Sequence, residues 1–154
     1  MRTKNIFNHL NKTFALFAFK KINKMKFTIN EIKAEHQKVK SGADFPNYIQ
    51  QIKNLGVSHY TTLVPDGNTK YFDAENNFTE TGKKYNVLEI AENVNLENFK
   101  TRLKLHQQGG TDYPTFCKDC AENGVESWKM DLNNMTCTYF DKNQNDILEE
   151  IVPS

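Results

Sequence analysis

Cys117 and Cys120 stand three residues apart, the spacing of a redox couple or of half a metal site. His106, upstream of them, would supply a third ligand, since thiolates and a neutral imidazole suit the same soft cations. A redox pair needs a thiol with a depressed pKa, which a helix N-terminus supplies. These two cysteines fall a turn or so inside a predicted helix, which argues for the plainer use of cysteine as a small buried hydrophobe. Between His106 and Asp112 runs a polar, glycine-bearing stretch, with Gln107, Gln108, Gly109 and Gly110 at its centre. Such a loop at a helix start can hold a small anion, and it serves equally as a helix–helix connector. Trp128 is the single tryptophan. Exposed, it would mark a partner surface; on an alternating strand it belongs to the core. His106, Gln107, Gln108, Gly109, Gly110, Asp112 and Trp128 are therefore the candidate ligand-binding residues, and His106, Cys117 and Cys120 the candidate metal set. No Ser-His-Asp set, phosphate loop or dinucleotide fingerprint is present, and no carboxylate pair stands out for acid–base work. The sequence therefore leans away from an enzyme, and it calls for no cofactor.

The elements that position these residues come from an internal repeat. Gly42–Asp73 aligns with Gly110–Asp141 at a constant offset of 68, with eight of 32 positions identical. The matches are punctuation: Gly42/Gly110, Asp44/Asp112, Pro46/Pro114, Gly56/Gly124 and Asp73/Asp141. Upstream, at offset 67, the helix caps Thr28 and Asn95 correspond, and Glu31 completes a capping box with Thr28. Ile29, Ile32, His36 and Val39 then match Leu96, Phe99, Leu103 and His106, one helical face in each copy. A second helix begins at Asp-aromatic-Pro, where Asp44 and Asp112 can cap it or favour its positive end, and ends at Gly56 or Gly124. Cys117 and Cys120 align with Ile49 and Ile52 on its apolar stripe, as expected of core positions.

Strands follow. Tyr60, Thr62 and Val64 alternate in one copy, Trp128, Met130 and Leu132 in the other. Turns at Pro65–Asn68 and Asn133–Asn134 lead to strands that end in Tyr-Phe-Asp. A third strand is expected at Val87–Ile90 and at Ile147–Glu150, offset by 60, with a longer preceding loop in the first copy. The fold class is α+β: two tandem helix-helix-strand-strand-strand repeats with pseudo-twofold symmetry, and antiparallel sheet covered by helices. The repeats run about 27–91 and 94–152 within a single domain, 25–154. One shared sheet and two docked sheets both satisfy the pattern.

Charge and length set the class. The chain has 154 residues with 25% charged and 38% hydrophobic, an ordinary soluble composition. Its three cysteines have no framework spacing, and no apolar run reaches the roughly 18 residues of a membrane helix. Residues 1–24 carry six of the twenty basic residues and no acidic one. Fourteen basic against nineteen acidic residues remain from Met25 on. A body of that sign repels phosphate backbones, so nucleic acid is not an expected partner. Residues 1–24 admit a faint signal-peptide reading (Thr13–Phe19) and an amphipathic-helix reading (Ile6, Leu10, Phe14, Phe17). The reading adopted is a basic extension before the domain, disordered or upstream of a true start at Met25.

The stretch His106-Gln-Gln-Gly-Gly-Thr-Asp-Tyr-Pro-Thr-Phe-Cys-Lys-Asp-Cys120 resembles the family called domain of unknown function 1398. Gly124–Trp128, Met135–Tyr139 and Lys38–Pro46 resemble it too. The family includes YbcV-like proteins, and some members carry the label phage envelope protein. The resemblance spans about Met25 to Pro153, and members begin near Met25. It implies no activity, cofactor or catalytic residue; the phage label implies an origin in mobile elements.

The functional expectation is a cytoplasmic, non-catalytic domain that binds a protein or a small molecule, with a homo-oligomer as one form of partner. A thiol or metal protein using Cys117 and Cys120, and a phage-derived structural or morphogenesis protein, are the alternatives.

Overall fold

The computed structural model describes residues 24–153. The expectations for the basic extension lie, Lys24 apart, outside the described residues. Helix α1 spans Ile29–His36 and opens with the expected capping box: Thr28 Oγ1 accepts from the Glu31 amide, and Glu31 Oε2 accepts from the Thr28 amide at 2.7 Å. After a 3-10 turn at Gly42–Asp44, α2 runs Phe45–Leu55 with Pro46 in its first turn. It stops at Gly56, whose φ of 110° lies in the left-handed region. The strands are β1 (His59–Leu63), β2 (Thr69–Phe72) and β3 (Phe78–Glu80). Helices α3 (Leu96–Gln107) and α4 (Tyr113–Glu122) follow, then β4 (Ser127–Asp131), β5 (Thr136–Phe140) and β6 (Asp146–Ile151).

The order helix-helix-strand-strand-strand thus occurs twice along the chain. All six strands join one antiparallel sheet, in the order β3-β2-β1-β4-β5-β6. The two runs meet at β1 and β4, where Thr62 sits opposite Trp128 and Tyr60 opposite Met130. One sheet face is dry. Tyr60, Thr62, Tyr71, Trp128, Met130, Cys137 and Tyr139 are buried together with Ile49, Ile52, Phe99, Leu103, Phe116, Cys117 and Cys120 from the helices.

Two expectations need correction. The third strand of the first run is Phe78–Glu80, not Val87–Ile90. It follows β2 at once, through the turn after Asp73, and pairs Phe72 with Phe78. Residues 81–95 form a strap from the sheet edge to α3. Its amides at Leu88, Ala91 and Asn95 donate to the carbonyls of Pro65, Ala121 and Asn123. Ile90 is buried while Val87 is 70% exposed, so the apolar run reads as a strand without being one. The second correction concerns Asp44. Its carboxylate accepts from the Lys40 and Ser41 amides and closes the preceding loop, rather than capping α2. Asp112 does cap α4, accepting from the Thr115 amide at 2.9 Å.

Candidate functional site

The loop between α3 and α4 is held by its own polar groups. His106 stacks on Phe116 with ring centroids 4.3 Å apart, and its Nδ1 lies 3.1 Å from the Thr111 carbonyl oxygen and 3.0 Å from Thr111 Oγ1. Burial holds its pKa below the usual histidine value, against the pull of Thr111 and of Asp119 and Asp112. Gln107 donates through Nε2 to Glu150 Oε2 of β6 at 2.9 Å, tying the loop to the sheet edge. Gln108 and Gly109 are exposed, and Gly109 takes a φ of 79°. Gly110 packs against Leu105 so closely that a Cβ would come within 2.3 Å of it. Trp128 is buried among Tyr113, Phe116 and Tyr139. The polar loop and Trp128 therefore sit in one part of the second run, the loop at the surface and the indole in the core.

Cys117 and Cys120 are buried on the inner face of α4, with free thiols. Burial pushes both thiols up, Cys120 most strongly; at Cys117 the Tyr85 and Tyr113 hydroxyls and Lys84 oppose it. The third cysteine, Cys137, is pushed up to about 12 by burial. A buried thiol whose pKa is raised is a poor nucleophile at neutral pH. Among the described residues no three His, Cys, Asp or Glu side chains are grouped to hold a metal ion.

A shallow cavity of about 40 Å³ lies between α1 and α2, lined by Glu35, Lys38, Val39, Asp44, Asn47 and Tyr48. It holds a few water molecules at most.

The sheet's second face carries a different feature. His59 of β1 stacks flat on Phe72 of β2, 4.5 Å between centroids and 5° between planes. Phe72 in turn meets Phe78 of β3 at 5.6 Å. Lys70 holds its ammonium 4.9 Å from the Phe78 centroid, a cation–π contact. The register pairs His59 with Phe72 and Phe72 with Phe78, so the three rings form one row across three strands. Phe78 is 49% exposed and Leu63, on the same face of β1, 40%. Ser58 Oγ lies 2.9 Å from His59 Nδ1 and is itself within bonding distance of the Phe72 and Asp73 carbonyl oxygens. Burial holds the His59 pKa down, Lys129 reinforces this, and Asp131 opposes it. Burial thus disfavours the charged form of the imidazole that stacks on Phe72.

Sequence reasoning did not single out this row, although a signal for it was present. Tyr71 and Phe72 are adjacent in a strand, and successive side chains point to opposite faces. One of two neighbouring aromatics must leave the core. The same holds for Tyr139 and Phe140.

No helix among the described residues is long and apolar enough to cross a membrane. No curated protein matches the chain. A family model described as a protein of unknown function (DUF1398) matches residues 33–151. Among the described residues that match takes in all four α-helices, save the first residues of α1, and all six strands, so the chain belongs to the DUF1398 family.

Proposed function

We propose that the chain is a non-catalytic binding domain that takes a protein or small-molecule partner on the second face of its sheet. The observation behind this reading is the ring row His59–Phe72–Phe78. Aromatic side chains that remain half-exposed lose water on contact and gain large apolar area at little entropic cost. The polar contact in the row joins His59 to Ser58, whose hydroxyl also faces the Phe72 and Asp73 carbonyl oxygens, an arrangement that orients the ring for recognition. Lys70 and Lys129 flank the rings, and Glu80 and Glu149 stand on the outer strands of the same row as Lys70. Such a mixed border suits a polar, uncharged or zwitterionic partner better than a polyanion.

The reading is tested by placing a photo-crosslinking phenylalanine analogue at position 78 of the full chain in living cells. A control chain carries it at Glu97, on the helix side. A discrete adduct from position 78 and none from position 97 is expected. Equal labelling from both positions, or none from 78, would refute the reading.

A further inference from the structure

The two helix pairs differ at one position. In the second, His106 of α3 lays its ring on Phe116 of α4, with centroids 4.3 Å and planes 8° apart. The aligned residues of the first pair are Val39, just past the end of α1, and Tyr48 of α2. Valine has no ring to lay on its neighbour, and Val39 and Tyr48 both line the cavity between α1 and α2. The rest of its wall is polar: Glu35, Lys38, Asp44 and Asn47. The charges there do not cancel. Lys38 Nζ pairs with Glu35 at 2.8 Å, whereas Asp44 forms no ion pair among the described residues. The Lys40 and Ser41 amides both donate to Asp44 Oδ2, which leaves the lone pairs of Oδ1 to a ligand.

We propose that this cavity binds a small planar nitrogen cation of the imidazolium class, which takes beside Val39 and Tyr48 the place that the His106 ring takes on Phe116. A ring N–H donates to the Asp44 carboxylate, a charge-assisted bond, and the ring carbons meet Val39 and the Tyr48 ring. Five ring atoms match the scale of the few water molecules that a cavity of about 40 Å³ holds, and because it is shallow part of the ring stays in water. The cationic groups nearby are Lys38, Lys40 and His36. Glu35 neutralises Lys38, and Lys40 is exposed. His36 meets the Tyr48 ring edge-on at 5.4 Å, and burial holds it towards its neutral form. The cavity lies on the helix side of the sheet, apart from the ring row His59–Phe72–Phe78.

The test is to titrate imidazole into the isotope-labelled full chain at about pH 6, where an imidazole of ordinary pKa is mostly protonated, and to map the amide shifts by NMR. Saturable shifts centred on the residues from Glu35 to Tyr48 are expected. Pyrazole, a ring of the same size that stays neutral at this pH, should bind at least about threefold more weakly, the difference that a cation–π contact at an exposed site makes. Val39→His supplies the ring from the chain itself and should abolish the saturable shifts. Val39→Leu fills the cavity less and should weaken binding without abolishing it. Shifts that never saturate or that spread over the acidic surface, pyrazole binding as tightly as imidazole, or undiminished binding by the Val39→His and Val39→Leu chains would each overturn the proposal.

Discussion

Asp73 and Asp141, 68 residues apart, make the same hydrogen bonds. Asp73 Oδ1 accepts from the amides of Glu75 and Asn77, and its Oδ2 from Asn77 Nδ2, each at 2.9 Å. Asp141 Oδ1 accepts from the amides of Asn143 and Asn145 at 2.8 and 2.9 Å, and its Oδ2 from Asn145 Nδ2 at 3.0 Å. In both turns the residue before the asparagine has positive φ: Asn76 at 62° and Gln144 at 63°. Each aspartate thereby fixes the hairpin that delivers an edge strand, β3 in one case and β6 in the other.

Replacing Asp73 by Ala leaves two amides without their acceptor at a buried position. A loss of about 1–3 kcal/mol is expected, read as a lower urea midpoint at unchanged slope. Asp141→Ala, at a more open site, should cost less.

Both carboxylates also make stability depend on pH. At Asp73 burial raises the pKa, but the Asn77 side chain and the amides of Glu75 and Asn77 outweigh it and hold it low. At Asp141 the Asn145 side chain and amide do the same. A depressed carboxylate pKa stabilises the fold above the unfolded value of about 3.9, and that contribution is lost as pH falls through the folded pKa. Acid titration of the Asp73→Asn, Asp141→Asn double variant should therefore show a shallower fall in melting temperature below pH 4 than the parent. Parallel curves would assign the acid sensitivity elsewhere.

Cys117 and Cys120 should accept aliphatic residues, because each thiol occupies an apolar site on the inner face of α4. Cys→Val at both positions should leave the chain folded, whereas Cys120→Asp should cost several kcal/mol more, a buried charge without a cation beside it. In the native state all three thiols should react slowly with a disulfide reagent at pH 7, since burial raises each pKa. Rapid native-state labelling, or unfolding of the Val variant, would restore the thiol reading.

Much of the fold was legible because its signals are local. Caps at Thr28, Asn95 and Asp112, the helix stop at Gly56, and the alternation of Tyr60-Thr62-Val64 and Trp128-Met130-Leu132 each depend on a few neighbouring residues. The inward placement of Cys117 and Cys120 was legible by their alignment with Ile49 and Ile52. The third strand was misplaced because periodicity alone cannot tell a strand from an extended strap. Val87–Ile90 alternates because it spans from the Pro65 turn to Ala121, not because it pairs in the sheet. Phe78–Glu80 has only three residues, too few to show a period.

Gly67 should tolerate no side chain. It has a φ of 73°, and an added Cβ would meet the Tyr85 ring at 2.6 Å. Alanine here combines backbone strain of about 1 kcal/mol with displacement of the strap that carries Lys84 and Tyr85. Gly67→Ala is expected to lower the melting temperature and to speed hydrogen exchange at the Lys84 and Leu88 amides, which bond to the turn. Gly82, with a φ of 75° but nothing near its Cβ position, supplies the control. Gly82→Ala should show the strain without the faster exchange.

The second helix pair has a polar contact that the first lacks. Arg102 Nε of α3 lies 2.9 Å from Asp119 Oδ2 of α4, with the Asp119 side chain 10% exposed and that of Arg102 33%. The aligned positions in the first run are Glu35 and Gln51, which cannot make an ion pair. The two partners differ in what remains when the other is removed. Arg102→Met strands a carboxylate that is nearly dry, and a loss of about 3 kcal/mol is expected. Asp119→Ala leaves a guanidinium that can turn to water, so the loss should be smaller. The double variant Arg102→Met, Asp119→Leu, apolar on both sides, should recover much of the stability lost by Arg102→Met alone. Urea unfolding of the four chains closes the cycle. A double variant as unstable as the sum of its singles would mean that the pair does not act as a unit.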